Sequence, residues 1–209
     1  MSTTLPTTAT STDRKRTLLF GGSFDPVHSG HLYIVSKAIE LTDYQRIIVM
    51  PTCVSSFKPG SHPASGADRL AMLHLAFENF DTRGRELVIS GWEVAKGGVS
   101  YTLETVKAIY SLFPVEGTLG FLMGDDLLAG LERWYGYEEL VKLVHFVCLT
   151  RGGAVAHPAG ACVEFLSVAP LRASSTAVRS GEEGEGLEKV RAYIEEHGLY
   201  YAGRNREGG

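Results

Sequence analysis

The sequence predicts an α/β fold: a doubly wound, mostly parallel sheet with helices on both faces. Two observations carry that expectation. Short apolar runs that read as buried strands alternate with segments of helical periodicity, the order that produces a parallel sheet covered on both sides. Loops rich in glycine, proline and serine follow several of those runs, and in such sheets ligands bind beyond the carboxyl ends of strands.

The elements follow in order. Residues 17–20 are an apolar run, and residues 32–41 carry Leu32, Val35, Ala38 and Ile39 at helical spacing. A second strand, 46–50, ends at Pro51, and 51–66 reads as a loop. Residues 67–79 place Leu70, Leu73, Ala76 and Phe77 on one helical face. A strand at 86–90 precedes a helix at 103–113, with Thr102 as its expected cap. A strong strand at 117–123 leads to Gly124-Asp125-Asp126, which opens a helix; a helix at 137–143 and a strand at 145–149 come next. A weaker strand, 163–168, leads to Ser174-Ser175-Thr176, expected to cap a helix that runs through Arg179. The last helix, 187–197, has Gly198 placed for its C′ position.

A chain of 209 residues suits one substantial core, and residues 17–209 read as a single domain. Residues 1–16 are rich in Ser and Thr and end in Arg14-Lys15-Arg16; they read as a disordered extension with a solvated basic edge. The net charge of −4, without a basic block, argues against a nucleic-acid polymer or an anionic membrane as partner. No segment has the length of a signal peptide or a membrane span. The three cysteines, Cys53, Cys148 and Cys162, form no metal or disulfide pattern, and a reducing cytoplasm fits them. A homo-oligomer is left open.

The most informative stretch is Gly21-Gly22-Ser23-Phe24-Asp25-Pro26-Val27-His28-Ser29-Gly30-His31. A glycine-rich turn between a strand and a helix N-terminus is an anion site, because its backbone N–H groups lack helical partners. The glycines let a phosphate approach the backbone, and His28 and His31 add donors at the same place. By themselves the two histidines also suit a helix cap or packing, and no third ligand makes them a metal site. Walker A and Gly-x-Gly-x-x-Gly patterns are absent.

This stretch resembles the signature of the nucleotidyltransferase superfamily with a His-x-Gly-His motif, over residues 17–201. The resemblance implies a Rossmann-like nucleotidyltransferase fold. It implies that His28 and His31 contact ATP phosphates during adenylyl transfer, with Gly22 and the main chain of Ser23 and Phe24 beside them. Ser175, Thr176 and Arg179 match the family's second phosphate motif, making Arg179 a third catalytic group. Gly124 and Asp126 match its Gly-x-Asp turn, which implies contact with the nucleotide's sugar. Read without the family, Asp125-Asp126 equally suits a cation, a ribose or a helix start.

The acceptor side resembles the nicotinate mononucleotide adenylyltransferase branch through Ser100-Tyr101-Thr102, Gly124-Asp125-Asp126-Leu127-Leu128 and Arg133-Trp134-Tyr135. This implies that Trp134 stacks on a pyridine ring, although its type alone equally suits a half-buried core aromatic. Thr102 and the backbone near Tyr135 would meet the pyridine carboxylate, and Lys58 would face phosphate. The loop departs from the branch's Pro-Pro-His-Lys: here it is Ser55-Ser56-Phe57-Lys58. The implied reaction joins AMP from ATP to nicotinate mononucleotide, giving deamido-NAD and pyrophosphate, with Mg²⁺ carried mainly on the ATP phosphates. The rivals are nicotinamide mononucleotide or phosphopantetheine as acceptor, and a silent nucleotide-binding sensor.

Overall fold

The apolar runs become the parallel strands of one sheet. The computed structural model describes residues 14–55, 64–150, 157–169, 175–180 and 187–200. Strands are β1 (Thr17–Gly22), β2 (Arg46–Pro51), β3 (Val54–Ser55), β4 (Glu86–Ile89), β5 (Val99–Ser100), β6 (Leu119–Gly124), β7 (Val144–Thr150) and β8 (Val163–Ser167). Helices are α1 (Ser29–Leu41), α2 (Gly66–Phe77), α3 (Trp92–Lys96), α4 (Thr102–Leu112), α5 (Tyr137–Leu143), α6 (Ser175–Ser180) and α7 (Glu188–Glu196), with a 3₁₀ helix at Asp125–Arg133.

Among the described residues, six strands form the main sheet in the order β4-β2-β1-β6-β7-β8. Every neighbouring pair is parallel. The chain winds outward from β1 through β2 to β4, then crosses back to β6 on the other side of β1. That reversal is the topological switch point, and it opens a crevice at the carboxyl ends of β1 and β6.

Side chains of β1 alternate between two cores. Leu18 and Phe20 pack with Val35, Ile39, Met72, Leu73, Val190 and Ile194, whereas Leu19 packs with Val106, Ile109, Leu128, Leu131 and Leu140. Both faces are therefore covered, which is why the strands read as unbroken apolar runs. Each fully buried aliphatic side chain contributes roughly 1.5–3 kcal/mol.

The structure departs from the expected elements in several places. The helix near residue 103 begins at Thr102 itself; Tyr101 occupies the cap position, and no side chain caps it. Thr102 is therefore not the cap. The helix after Gly124 is a 3₁₀ helix rather than an α-helix. The strand expected from Gly117 starts at Leu119, because Gly117 turns with a φ of 67°. Helix α3 and the small β3–β5 pair were not expected; elements of five and two residues are too short to show periodicity. Gly198 does hold the C′ position expected of it, with a φ of 60°.

The basic residues at 15 and 16 are not merely a solvated edge. Lys15 joins Arg46 on the Glu86 carboxylate, and Arg16 pairs with Asp43. Residues 1–13 of the expected extension lie outside the described residues.

Candidate active site

The glycine turn locks two imidazoles into one orientation. His28 is the N-cap of α1: its Nδ1 accepts from the Gly30 N–H at 3.1 Å, and its own N–H donates to His31 Nδ1 at 3.2 Å. This is a capping box built from histidines. Occupying both Nδ1 atoms with N–H donors assigns the proton of each neutral ring to Nε2, so both rings present an Nε2–H. The ring centroids lie 3.8 Å apart. Burial, and then the neighbouring His28, hold the His31 imidazole well below its usual 6.5, so it acts as a neutral donor at neutral pH.

The Phe24 side chain is turned into the core, away from the turn's main chain. It is 1 % exposed and packs edge-on against Phe20 and at a tilt against His31, with centroids 5.3 and 4.8 Å away. Only its main chain is left for a ligand. That ring also explains Gly22, where an added Cβ would lie 3.1 Å from Phe24 Cζ; at Gly21 nothing lies within 4 Å.

Asp25 ties the turn to remote parts of the chain. Its Oδ1 accepts from the Ala64 N–H at 3.0 Å and from the Tyr200 hydroxyl at 2.6 Å. Its carbonyl accepts from Arg179 Nη1. Ser175 Oγ donates to the Pro26 carbonyl at 2.9 Å, and Arg179 Nη2 donates to Thr176 Oγ1 at 3.1 Å. Helix α6 is thus fastened to the turn that precedes His28, which brings Ser175 and Arg179 beside it. Ser174 and Lys58 lie outside the described residues.

A residue without an expected role braces this arrangement. Arg69 is 2 % exposed on the apolar face of α2 and donates to four backbone carbonyls. Nε reaches Ala64 at 3.1 Å, Nη1 reaches Ser23 at 2.8 Å and Thr52 at 2.6 Å, and Nη2 reaches Cys53 at 3.1 Å. One guanidinium therefore joins the glycine turn, the chain after β2 and the start of α2. Its sequence signal is an arginine on the Met72–Leu73–Phe77 stripe.

The crevice at the β1–β6 switch holds a cavity of about 310 Å³. Gly22 and Ser23 line it from the turn, Gly124 and Asp126 from the end of β6, and Thr102, Thr105, Glu93 and Trp134 from the far wall. An added Cβ at Gly124 would sit 2.5 Å from Asp126 Oδ1, so the missing side chain lets that carboxylate fold back over the strand end. Trp134 is 9 % exposed and packs edge-on against Phe121 at 5.7 Å, as a core aromatic does, and it also forms part of the cavity wall. Tyr135 does not line the cavity; it is 60 % exposed, with its ring 4.7 Å from Tyr101. His28, His31, Ser175, Thr176 and Arg179 stand beside the glycine turn, outside the cavity lining. Ser100, part of the acceptor-side motif, also lines the cavity, as do Glu93 and Thr105, which carried no expected role; Glu93 lies on a helix too short to show periodicity.

Among the described residues no group of three or more His, Cys, Asp or Glu side chains is set to hold a metal ion. None of the described helices is long and apolar enough to cross a membrane.

Comparison with known proteins agrees with this fold. The cytidylyltransferase-like family profile matches residues 19–181. A probable nicotinate-nucleotide adenylyltransferase of Gemmatimonas aurantiaca is 34 % identical over 87 % of this chain and 90 % of its own. The nicotinate-nucleotide adenylyltransferase of Bacillus subtilis is 31 % identical over 89 % of this chain and 98 % of its own. Among solved structures, the Plasmodium falciparum nicotinic acid mononucleotide adenylyltransferase complexed with NaAD superposes with a TM-score of 0.74. That superposition covers 90 % of this chain and 98 % of the other at 20 % identity, a likeness of fold. The chain belongs to the cytidylyltransferase-like family, among the nicotinate-nucleotide adenylyltransferases.

Proposed function

We propose that this protein transfers AMP from ATP to nicotinate mononucleotide, yielding deamido-NAD and pyrophosphate. The observation that carries the reading is the paired Nε2–H groups of His28 and His31, fixed beside a glycine turn to which Arg179 is fastened. In the reaction, an oxygen of the acceptor's 5′-phosphate bonds to the α-phosphorus of ATP. The bond from that phosphorus to the β-phosphate oxygen breaks, and pyrophosphate leaves with the electron pair. The nucleophile is already an anion at neutral pH, so no general base is required.

Catalysis then consists of positioning and of donors aimed at charge that develops on the phosphates. His28, His31 and Arg179 are those donors, Thr176 and Ser175 hold the same end of the nucleotide, and the main chain at Gly22–Phe24 cradles it. Gly124 and Asp126 take the adenosine sugar. Trp134 stacks on the pyridine ring, with Thr102 and the backbone at Tyr135 near its carboxylate and Lys58 facing the acceptor phosphate. Mg²⁺, carried mainly on the ATP phosphates, would supply charge neutralisation and would need few protein ligands. The free thiols of Cys53, Cys148 and Cys162 suit the cytoplasm, where we place the reaction.

The test is pyrophosphate release by the purified chain with ATP, Mg²⁺ and each of nicotinate mononucleotide, nicotinamide mononucleotide and phosphopantetheine. The reading predicts fastest release with the nicotinate form. Preference for another acceptor overturns the substrate, and silence with all three overturns the activity.

A further inference from the structure

The glycine turn is held from outside by a side chain that has no part in the reaction. Tyr200 follows α7 and donates from its hydroxyl to Asp25 Oδ1 at 2.6 Å, across 175 residues of chain. Helix α7 delivers it as part of a packed element: Val190 and Ile194 are buried in the core that contains Leu18 and Phe20, and Tyr193 donates to Asp68 of α2 at 3.0 Å. The Leu199 N–H then bonds back to the Ile194 carbonyl at 3.0 Å, and Leu199 and Tyr200 pack against the same core. Tyr200 takes a φ of 66°, a left-handed conformation uncommon for a residue with a side chain. Such a backbone persists where the surrounding structure over-determines it, and the strained residue here is the one whose hydroxyl reaches the turn.

Asp25 is where that hydroxyl meets the phosphate end. The Asp25 side chain accepts from Tyr200 and from the Ala64 N–H, and its carbonyl accepts from Arg179 Nη1. Two donors on one carboxylate oxygen restrict rotation of the Asp25 side chain, and with it the backbone that aims the carbonyl at Arg179. The neighbouring carbonyls are held as well, Ser23 by Arg69 at 2.8 Å and Pro26 by Ser175 at 2.9 Å. Burial, and then the hydrogen bond to Asp25, push the Tyr200 hydroxyl above its usual 10, against the charges of Arg179 and Arg69. The proton therefore stays on the phenol oxygen, and the bond runs from Tyr200 to Asp25.

We propose that Tyr200 is a positioning residue for adenylyl transfer: its hydroxyl fixes Asp25, and through the Asp25 main chain it fixes Arg179 against the glycine turn. This rests on the function proposed above, which puts the ATP phosphates at that turn. Hydrogen bonds to an ionised acceptor are the stronger ones, so one phenol is enough to hold the turn where local bonds alone end. Tyr200 touches no substrate. Its effect falls on the end of the site that takes ATP, since Asp25 is absent from the lining of the cavity that faces Thr102 and Trp134.

Steady-state kinetics of the full chain and its Tyr200→Phe variant test this, with nicotinate mononucleotide as acceptor, well below the unfolding midpoint of each protein. Tyr200→Phe keeps the packed ring and removes only the donor. The kcat/KM for ATP is expected to fall about tenfold, less than the roughly 10²-fold that a 1 Å misplacement can cost. KM for the acceptor stays within about twofold. Asp25→Ala lowers kcat/KM for ATP as well, and adding Tyr200→Phe to it costs less than about twofold more, because both changes remove one interaction. Tyr200→Phe carries the test alone if Asp25→Ala does not fold. A lower unfolding midpoint with unchanged kcat/KM for ATP makes the bond one of stability only and overturns the inference. Additive losses in the double variant, or an equal rise in both KM values, overturn it too. Each of those results leaves the proposed function standing, whereas a parent chain that releases no pyrophosphate with any acceptor overturns both.

Discussion

The two ends of the crevice are built by opposite strategies. At the glycine turn, the polar atoms that orient the site are satisfied within a few residues: His28 Nδ1 by Gly30, His31 Nδ1 by His28. At the far wall, Glu93, Ser100, Thr105 and Trp134 come from three different elements and the segment after the 3₁₀ helix, and they leave Glu93 Oε2 unmatched. The comparison teaches a division of labour. The glycine-turn end is pre-organised by local bonds, whereas the far wall is assembled from elements distant in the chain and leaves one buried carboxylate oxygen without a partner among the described residues.

The sharpest way to break that comparison is to remove a donor from the pre-organised end. His31→Ala is expected to lower kcat by about 10²–10³, the cost of one donor to transition-state charge. Its thermal unfolding should stay cooperative. A folded variant with full activity removes the imidazoles from the mechanism.

The bond between the two ends is Arg69, which holds Ser23 of the turn and Thr52 of the cavity wall with one guanidinium. Arg69→Leu strands several carbonyls in a buried site, and a loss of about 2–3 kcal/mol of unfolding free energy is expected by chemical denaturation. KM for ATP and for the acceptor should rise together. A rise for one substrate alone shows that the ends are held independently.

The smallest effect is one of pH. The depressed pKa of His31 means that the folded ring stays neutral where the unfolded ring, near 6.5, takes up a proton. The unfolded state therefore binds more protons, and this contribution to stability, present above about 6.5, is lost as pH falls below it. Its slope is at most about 1.4 kcal/mol per pH unit. Denaturation at pH 7.5 and 5.5 should show a smaller acid loss in His31→Gln than in the parent chain.

The same contrast explains what the sequence made legible. The turn could be read because its chemistry is local: two glycines, a helix start and two histidines at fixed spacing. The sheet could be read because its strands are buried on both faces and so run apolar from end to end. The far wall could not, since Glu93 and Thr105 become neighbours only when α3 packs against α4, and α3 is a helix of five residues. Trp134 resisted a single reading from sequence because it is at once core and cavity wall. Thr102 was misread as a cap because a threonine before an apolar run fits the Ncap pattern equally well when it is the first helical residue. Arg69 was the avoidable omission, a charged residue on an apolar stripe.

The central claim is that both imidazoles present Nε2–H to the phosphates of ATP. The direct measurement is ¹⁵N resonance of the His28 and His31 rings during titration of the full chain with ATP and Mg²⁺. The account predicts Nε2-protonated neutral rings beforehand and large shifts at both Nε2 atoms as ATP binds. Saturable ATP binding that leaves both rings unperturbed contradicts it.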